Sequence, residues 1–410
     1  MKKTIFTKDE IVFIILIGLA LGFRQIAMNL ITPFVGVYCS SLADGTLTLA
    51  GIALGIFGLT QGLFQIPFGS WSDKYGYKKM ILVGVGIMII GVLIATFANN
   101  AYVFVAARAL QGAGAITSAG YAWLSGSISF EKRADAISIV GVIVGISSAC
   151  ALGGGPILRE FMSVRELLML SSIVIIIMFF LILFFLKDLE KEKNRNEEKQ
   201  VKVKVEKGES SAYLRKILKN KCYLGIIVVA FINGFVGISG MFIIPEYISR
   251  ITSIRNMWMV FTPAIIIAVV IMRFSTRFIK RGYGKELAVI ATLCLLGGTL
   301  LFLGSSKIIF VGFGALVILT GYNILFSLIP TTVNLISINK FRGVANGAAN
   351  LSFYVGDFIG TTTIGALWNK HSNLALYILI FASFLAVLFS IFIIPTFKKI
   401  QEVKEDVQVA

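Results

Sequence analysis

The chain has 410 residues, of which 57% are hydrophobic and only 14% charged, with a formal net charge of +17. A soluble protein of this size carries nearer a quarter charged residues, so a large water-soluble enzyme is excluded. The basic excess looks like a nucleic-acid signature until the charges are placed along the chain.

The apolar residues come in runs of about 20, the length that crosses a bilayer core. In chain order they predict membrane helices at 10–37, 47–70, 79–98, 101–127, 134–158 and 166–187. A second set follows at 222–247, 257–276, 285–304, 308–337, 343–368 and 373–396. The runs lack period-two alternation and are too long for membrane strands. Met1-Lys2-Lys3 before the first run resembles a signal peptide, but that run is too long for a signal core, so it is read as an uncleaved helix. Between the sets, Lys187 to Lys221 carries 12 basic and 7 acidic residues. That mixture predicts a solvated linker, with a short surface helix over Ala212 to Asn220. The expected organisation is an all-α membrane protein of twelve helices in two pseudo-symmetric six-helix bundles. They occupy 1–187 and 222–396, with a linker at 188–221 and a charged tail at 397–410.

With the N-terminus inside, 29 Lys and Arg fall on the cytoplasmic side and 6 outside, while Arg24, Arg108 and Arg273 lie within spans. Both termini are therefore expected in the cytoplasm. The basicity is topology plus attraction to anionic lipid, and no nucleic-acid partner is expected. Cys39, Cys150, Cys222 and Cys294 are far apart, no CxxC pair exists, and His371 is the sole histidine. Neither a metal site nor a disulfide framework is expected; the thiols read as small packing residues.

The junction Gly69-Ser-Trp-Ser-Asp73-Lys74-Tyr-Gly76-Tyr-Lys78-Lys79 joins the second and third spans at a membrane surface. Gly69 and Gly76 can take φ > 0, Asp73 can answer a helix N-terminus, and the lysines mark the cytoplasmic side. The halves rhyme weakly. Arg133-x-x-Ala136-x-Ser138 opens the fifth span and Arg342-x-x-Ala345-x-Gly347 the eleventh; Gly141 and Gly145 follow in one, Gly356 and Gly360 in the other. Such a duplication is the pattern of a transporter built from two parallel repeats.

These residues resemble the major facilitator superfamily, and the likeness covers nearly the whole chain. The Gly69–Lys79 junction is similar to its signature between helices 2 and 3. Arg108-Ala-Leu-Gln111-Gly112 is similar to the R-x-x-Q-G pattern of its proton-linked members. Gly141, Gly145, Gly153, Gly154, Gly155 and Pro156 resemble the antiporter signature ending in Gly-Pro. The nearest likeness is to the drug:proton antiporter branch. The chain departs from that pattern at Tyr77, where relatives have Arg, and at Gly126, where many have an acid. Arg159 and Glu160 stand where the antiporter motif ends in further glycines, which leaves the direction of transport open.

The resemblance implies alternating access between the bundles, driven by a proton gradient with no bound cofactor. Gating would involve Gly69, Asp73, Gly76, Lys78, Lys79, Gly141, Gly145, Gly155, Pro156, Arg342 and Gly343. Asp73 would hold the cytoplasmic side closed against the helix beginning at Gly343, unless it is a solvated turn residue. Proton coupling would rest on Arg108, Asp357, Glu246 and Arg24, with Arg108 as a structural anchor and a static Arg24–Asp357 pair as the alternatives. Arg24 and Asp357 lie at comparable depth, each ~22 Å from the cytoplasmic ends of their spans. Helices 1, 4, 7 and 10 line the cavity in this family. Candidate substrate contacts are Gln25, Asn29, Gln111, Tyr121, Asn233, Tyr322 and Asn323, with Gln61 and Gln65 from the second span and Tyr354 from the eleventh. Polar residues in spans also serve as interhelical hydrogen-bond partners, so both roles stay open. The Arg–acid balance favours a neutral or anionic substrate, and an apolar chamber with few polar handles suits small amphipathic molecules. The expected protein is a monomeric exporter in a bacterial plasma membrane. The alternatives are a symporter on the same fold or a non-transporting receptor. No nucleophile, metal cluster or paired acid site is visible, so an enzyme is not expected.

Overall fold

The computed structural model describes residues 6–187, 209–304, 307–338 and 341–393, apart from the side chains of Asp73, Phe130, Ala134, Ser210, Ser211, Ile254, Arg255, Thr276, Lys280 and Gly304. Fourteen α-helices account for nearly all of these residues. They are α1 (Lys8–Asn29), α2 (Val35–Ser41), α3 (Leu47–Tyr75), α4 (Tyr77–Phe97), α5 (Ala101–Ala113), α6 (Thr117–Ser127) and α7 (Phe130–Phe161). Next come α8 (Val164–Phe185), α9 (Glu209–Ile217), α10 (Lys221–Ile251), α11 (Trp258–Lys280), α12 (Gly284–Leu301), α13 (Ile308–Ile336) and α14 (Arg342–Phe392). Among the described residues there is no strand, only an isolated bridge between Ala43 and Asn100.

Ten of these elements are long and apolar enough to cross a membrane. The expected twelve spans are accounted for once two departures are resolved. The fourth span breaks at Gly114, whose ψ of 53° leaves the helix, and the chain crosses to α6 through two tight turns. A Cβ on Gly114 would meet the Gly84 carbonyl oxygen at 2.5 Å, so the break is also where the chain presses onto α4. The eleventh and twelfth spans run together as α14, with a non-helical residue at His371 (φ −140°, ψ 52°). The first span continues through a 3₁₀ turn carrying Pro33 into α2.

Helix starts carry their own chemistry. Thr7 and Glu10 form a reciprocal capping box on α1, and Ser163 and Glu166 form another on α8. Asn100 caps α5 through the Val103 N–H, and Asn220 caps α10 by accepting from Cys222 and Tyr223. Each cap satisfies amides that the helix leaves open.

The exterior is apolar as well as the core, unlike that of a soluble protein. In α8, Ile173, Ile177, Phe180 and Phe184 are exposed, whereas Ser171 and Ser172 are buried. Thr96 and Ser172 place their hydroxyl oxygens 3.5 Å apart between α4 and α8. An apolar exterior over a partly polar interior is what a lipid solvent selects.

The described residues fall into two compact units. The first holds 6–45 and 60–187; the second holds 46–59 and the residues from 209 onward. In the first, α1 packs on α7: a Cβ on Gly18 or Gly22 would meet Ile143 or Ser147, and one on Gly155 would meet the Leu30 carbonyl. In the second, α10 packs on α14 with backbones touching, Gly234 against the Phe353 carbonyl and Gly356 against the Phe231 carbonyl. Residues 46–59 join the second unit because Gly51 and Gly55 of α3 lie against Thr361 and Phe358 of α14.

The linker helix is present as α9, starting three residues before the expected Ala212. The tail at 397–410 and the linker from 188 to 208 lie outside the described residues. Packing explains buried Cys39 but not Cys150, which is exposed.

Candidate functional site

In the first unit the two intramembrane arginines are almost fully buried, Arg24 at 2% and Arg108 at 1% exposure. Arg24 Nη2 donates to Gln61 Oε1 of α3 at 2.8 Å, and Nη1 donates to Gln25 Oε1 at 2.9 Å. Arg108 Nη1 donates to Gln111 Oε1 at 2.7 Å, one helical turn along α5. Gln111 in turn donates from Nε2 to the Gly91 carbonyl of α4 at 3.1 Å. The Arg-x-x-Gln spacing is therefore a local geometry: i and i+3 share a helix face, so the amide meets the guanidinium and still reaches the neighbouring backbone. Bonds of this kind, with one charged partner, are the strong class. Asn29 donates from Nδ2 to Ser148 Oγ at 2.7 Å, tying α1 to α7.

In the second unit Asp357 is 5% exposed on α14. A Cβ on Gly58 of α3 would meet its Oδ2 at 2.6 Å and the Tyr354 ring at 2.9 Å, so the carboxylate fills the space that this glycine leaves. Tyr322 of α13 lies within electrostatic reach of both Asp357 and Tyr354. Phe353 joins Tyr322, Phe326 and Tyr354 in one aromatic cluster, with ring centroids 5.4 to 6.2 Å apart. Asn233 of α10 is fully buried and donates to the Tyr322 carbonyl at 3.4 Å. Its Oδ1 is buried and accepts no hydrogen bond from the described residues. Buried acceptors are rarely left so, and those that are often mark functional positions.

Glu246 is half-buried on α10, one turn from Arg250. It sits 12 residues beyond Gly234, the residue backing Asp357, or ~18 Å along the helix axis. The two candidate proton carriers thus occupy different levels of one unit. Asn323 bonds its own helix at the Leu319 carbonyl. Gln65, Tyr121 and Tyr354 are half-buried, and the Gln65 carbonyl accepts from Ser118 Oγ.

The gating candidates separate. Gly69 and Asp73 lie inside α3 rather than in a turn, because that helix runs on to Tyr75; the Asp73 side chain lies outside what the structure describes. The turn is made at Gly76 alone, with φ 96° and ψ 139°, a conformation reserved for glycine. Lys78 donates to the Leu183 carbonyl in the last turn of α8 at 2.9 Å, and Lys79 is exposed. Arg342 donates to the Asn334 carbonyl in the last turn of α13, while no described residue lies within 4 Å of a Cβ on Gly343. Arg133 likewise points an Nη2 at the Ile128 carbonyl that ends α6, 3.5 Å away. In both halves the arginine opening the fifth helix caps the end of the fourth, a physical basis for the sequence rhyme. Gly141 and Gly145 are exposed, and no described residue lies within 4 Å of a Cβ there. Close packing between α1 and α7 is made instead at Gly18, Gly22 and Gly155. Pro156 lies within α7, which continues to Phe161 instead of ending near it.

Sequence reasoning missed Ser148 and Ser118, whose only signal was a hydroxyl within an apolar run. It also missed Tyr223, which donates to the Ala345 carbonyl at 2.7 Å, and the two capping boxes, whose S/T-x-x-E spacing was available.

Comparison with known proteins places these features. The Major Facilitator Superfamily family model matches residues 17–361. The chain is 27% identical over 344 residues to the uncharacterized transporter BU466 of Buchnera aphidicola subsp. Acyrthosiphon pisum (strain APS), covering 82% of this chain and 85% of that protein. It is 36% identical over 157 residues to the inner membrane transport protein YajR of Escherichia coli (strain K12), covering 38% of this chain and 35% of that one. The crystal structure of a D-xylose-proton symporter superposes with a TM-score of 0.72 at 13% identity, over 95% of this chain and 98% of that one; this likeness bears on fold alone. A family model spanning most of the chain, over helices that bury arginine and aspartate inside apolar spans, shows that the chain belongs to the major facilitator superfamily of membrane transporters.

Proposed function

We propose that this transporter is a proton-coupled exporter of small amphipathic molecules, a monomer in a bacterial plasma membrane with both termini in the cytoplasm. The observation that carries the reading is Asp357, a carboxylate 5% exposed within an apolar helix. Ionisable groups at such depth are costly and are kept for ion or proton movement. Arg108, held by Gln111 across α4 and α5, supports the same reading in the first unit. The Asn233 acceptor and the Tyr322–Phe353–Tyr354 cluster offer a polar handle within an aromatic wall, which suits an amphipathic substrate. The surplus of 29 Lys and Arg on one side against 6 on the other supports the orientation. The inner-membrane description of YajR supports the location. The Gly69–Lys79 junction and the Arg342 turn serve the conformational exchange in this reading.

The test is substrate-dependent pH change in proteoliposomes containing the purified protein. Candidate amphipathic compounds should drive protons in the opposite direction to themselves, and Asp357→Asn should abolish that flux without lowering reconstitution. Proton and substrate moving together would assign uptake instead. Undiminished coupled flux by Asp357→Asn would remove Asp357 from the mechanism.

A further inference from the structure

We propose that α9 and the turn after it form a docking site for anionic phospholipid headgroups. Only Leu218, Lys219 and Asn220 separate α9 from α10, a 31-residue apolar helix. Three residues reach at most ~10 Å, so α9 is held beside the point where the chain enters the bilayer.

Contacts on the protein side fix its rotation. Tyr213 and Ile217 are buried. The Tyr213 ring stacks on Phe341 with centroids 4.5 Å apart, and its hydroxyl accepts from the Ile338 N–H at 3.2 Å. The helical register continues through Leu218, whose N–H donates to the Leu214 carbonyl at 3.0 Å. Successive residues turn by roughly 100°. From Tyr213, Ile217 therefore lies about 40° round, Leu214 about 100° and Leu218 about 140°. Arg215, Lys219 and Lys216 follow at about 200°, 240° and 300°.

The apolar sector is thus wider than the protein covers. Its Tyr213 edge packs on Ile338 and Phe341 and Ile217 is buried, whereas Leu214 is half-buried and Leu218 exposed. Beside it, Arg215, Lys216 and Lys219 are all exposed. Glu209, at the start of the helix, is the one acid in α9, two turns from the Lys216 end. An apolar edge next to a cationic edge, fixed at a membrane surface, is the arrangement of an interfacial helix that inserts leucine among acyl chains and offers cations to headgroups.

The experiment uses the full chain reconstituted in phosphatidylcholine bilayers containing 30% phosphatidylglycerol. Leu218→Trp adds a reporter whose fluorescence is taken as the excess over the parent protein. Acyl-brominated phosphatidylglycerol is expected to quench that excess more than acyl-brominated phosphatidylcholine does. The preference should fall by roughly five-fold for each cation removed, and vanish in R215Q/K216Q/K219Q. R215K should keep it, separating charge from fold. The proposal is overturned if neither lipid quenches the added tryptophan or if the neutralised variant keeps the preference. It is equally overturned if 10 mM inorganic phosphate abolishes the preference, which would mark a soluble-anion site.

Discussion

The Arg108–Gln111–Gly91 chain gives the sharpest mutational expectation. Gln111 is fully buried and does two things at once: it accepts from a guanidinium and donates to a backbone carbonyl of the adjacent helix. Gln111→Leu keeps the volume and removes both. The lost bond to a charged group is worth about 1.5–3 kcal/mol, and the Gly91 carbonyl loses a donor within the bundle. A loss of about 2 kcal/mol is a roughly 30-fold shift toward the unfolded state. The helices cannot close the gap, because a Cβ at Gly91 would already meet the Gln111 backbone nitrogen at 2.8 Å. The assay is thermal unfolding in mild detergent, read by tryptophan fluorescence, alongside coupled flux in vesicles. Gln111→Glu is the discriminating control. It strengthens the acceptor for Arg108 into an ion pair but loses the donor to the Gly91 carbonyl, so it should be less destabilising than Gln111→Leu while coupled flux falls. Gln111→Leu as stable as the parent, or Gln111→Glu as labile as Gln111→Leu, would refute this account.

Two further expectations concern glycines that sequence alone treats alike. Gly76→Ala should cost about 1–3 kcal/mol through the backbone, since φ is 96° and its Cβ would meet no described residue within 4 Å; unfolding midpoints in detergent check it. Gly356→Ala should cost about 1–3 kcal/mol, because its Cβ falls on the Phe231 carbonyl and forces α10 from α14. Gly141→Ala and Gly145→Ala should instead be neutral or stabilising by up to about 1 kcal/mol each, and the same melting series compares all four.

The spans were legible because a bilayer imposes a length and a composition on every crossing, and 308–337 and 79–98 fell within a few residues of α13 and α4. The interruptions were not. Gly114 leaves the helix where the Gly84 carbonyl approaches it, a contact between residues 30 positions apart that no local window contains. Arg108 and Gln111 were legible as a pair because one helical turn links them. Arg24 and Gln61 were not, since their bond joins α1 to α3 across a sequence separation of 37.

Gly141 and Gly145 show why a spacing of small residues does not by itself name a helix neighbour. In a soluble helix the apolar stripe marks the packed side, so a row of small residues there reads as a contact. In a bilayer both the lipid face and the protein face are apolar, and the pattern loses its sign. α7 shows the consequence: Ile143 and Ser147 meet α1, while Gly141 and Gly145, each two residues before one of them, stay exposed. Two residues turn an α-helix by roughly 200°, so the rows lie on opposite faces, and only the partner helix distinguishes them. Spacing therefore identifies a face without saying what covers it. The residues that do reveal the covered side are polar ones such as Asn29 with Ser148 and Thr96 with Ser172, because hydrocarbon offers their hydrogen-bonding groups no partner. In this chain, buried polar side chains are a better guide to helix neighbours than the glycine pattern.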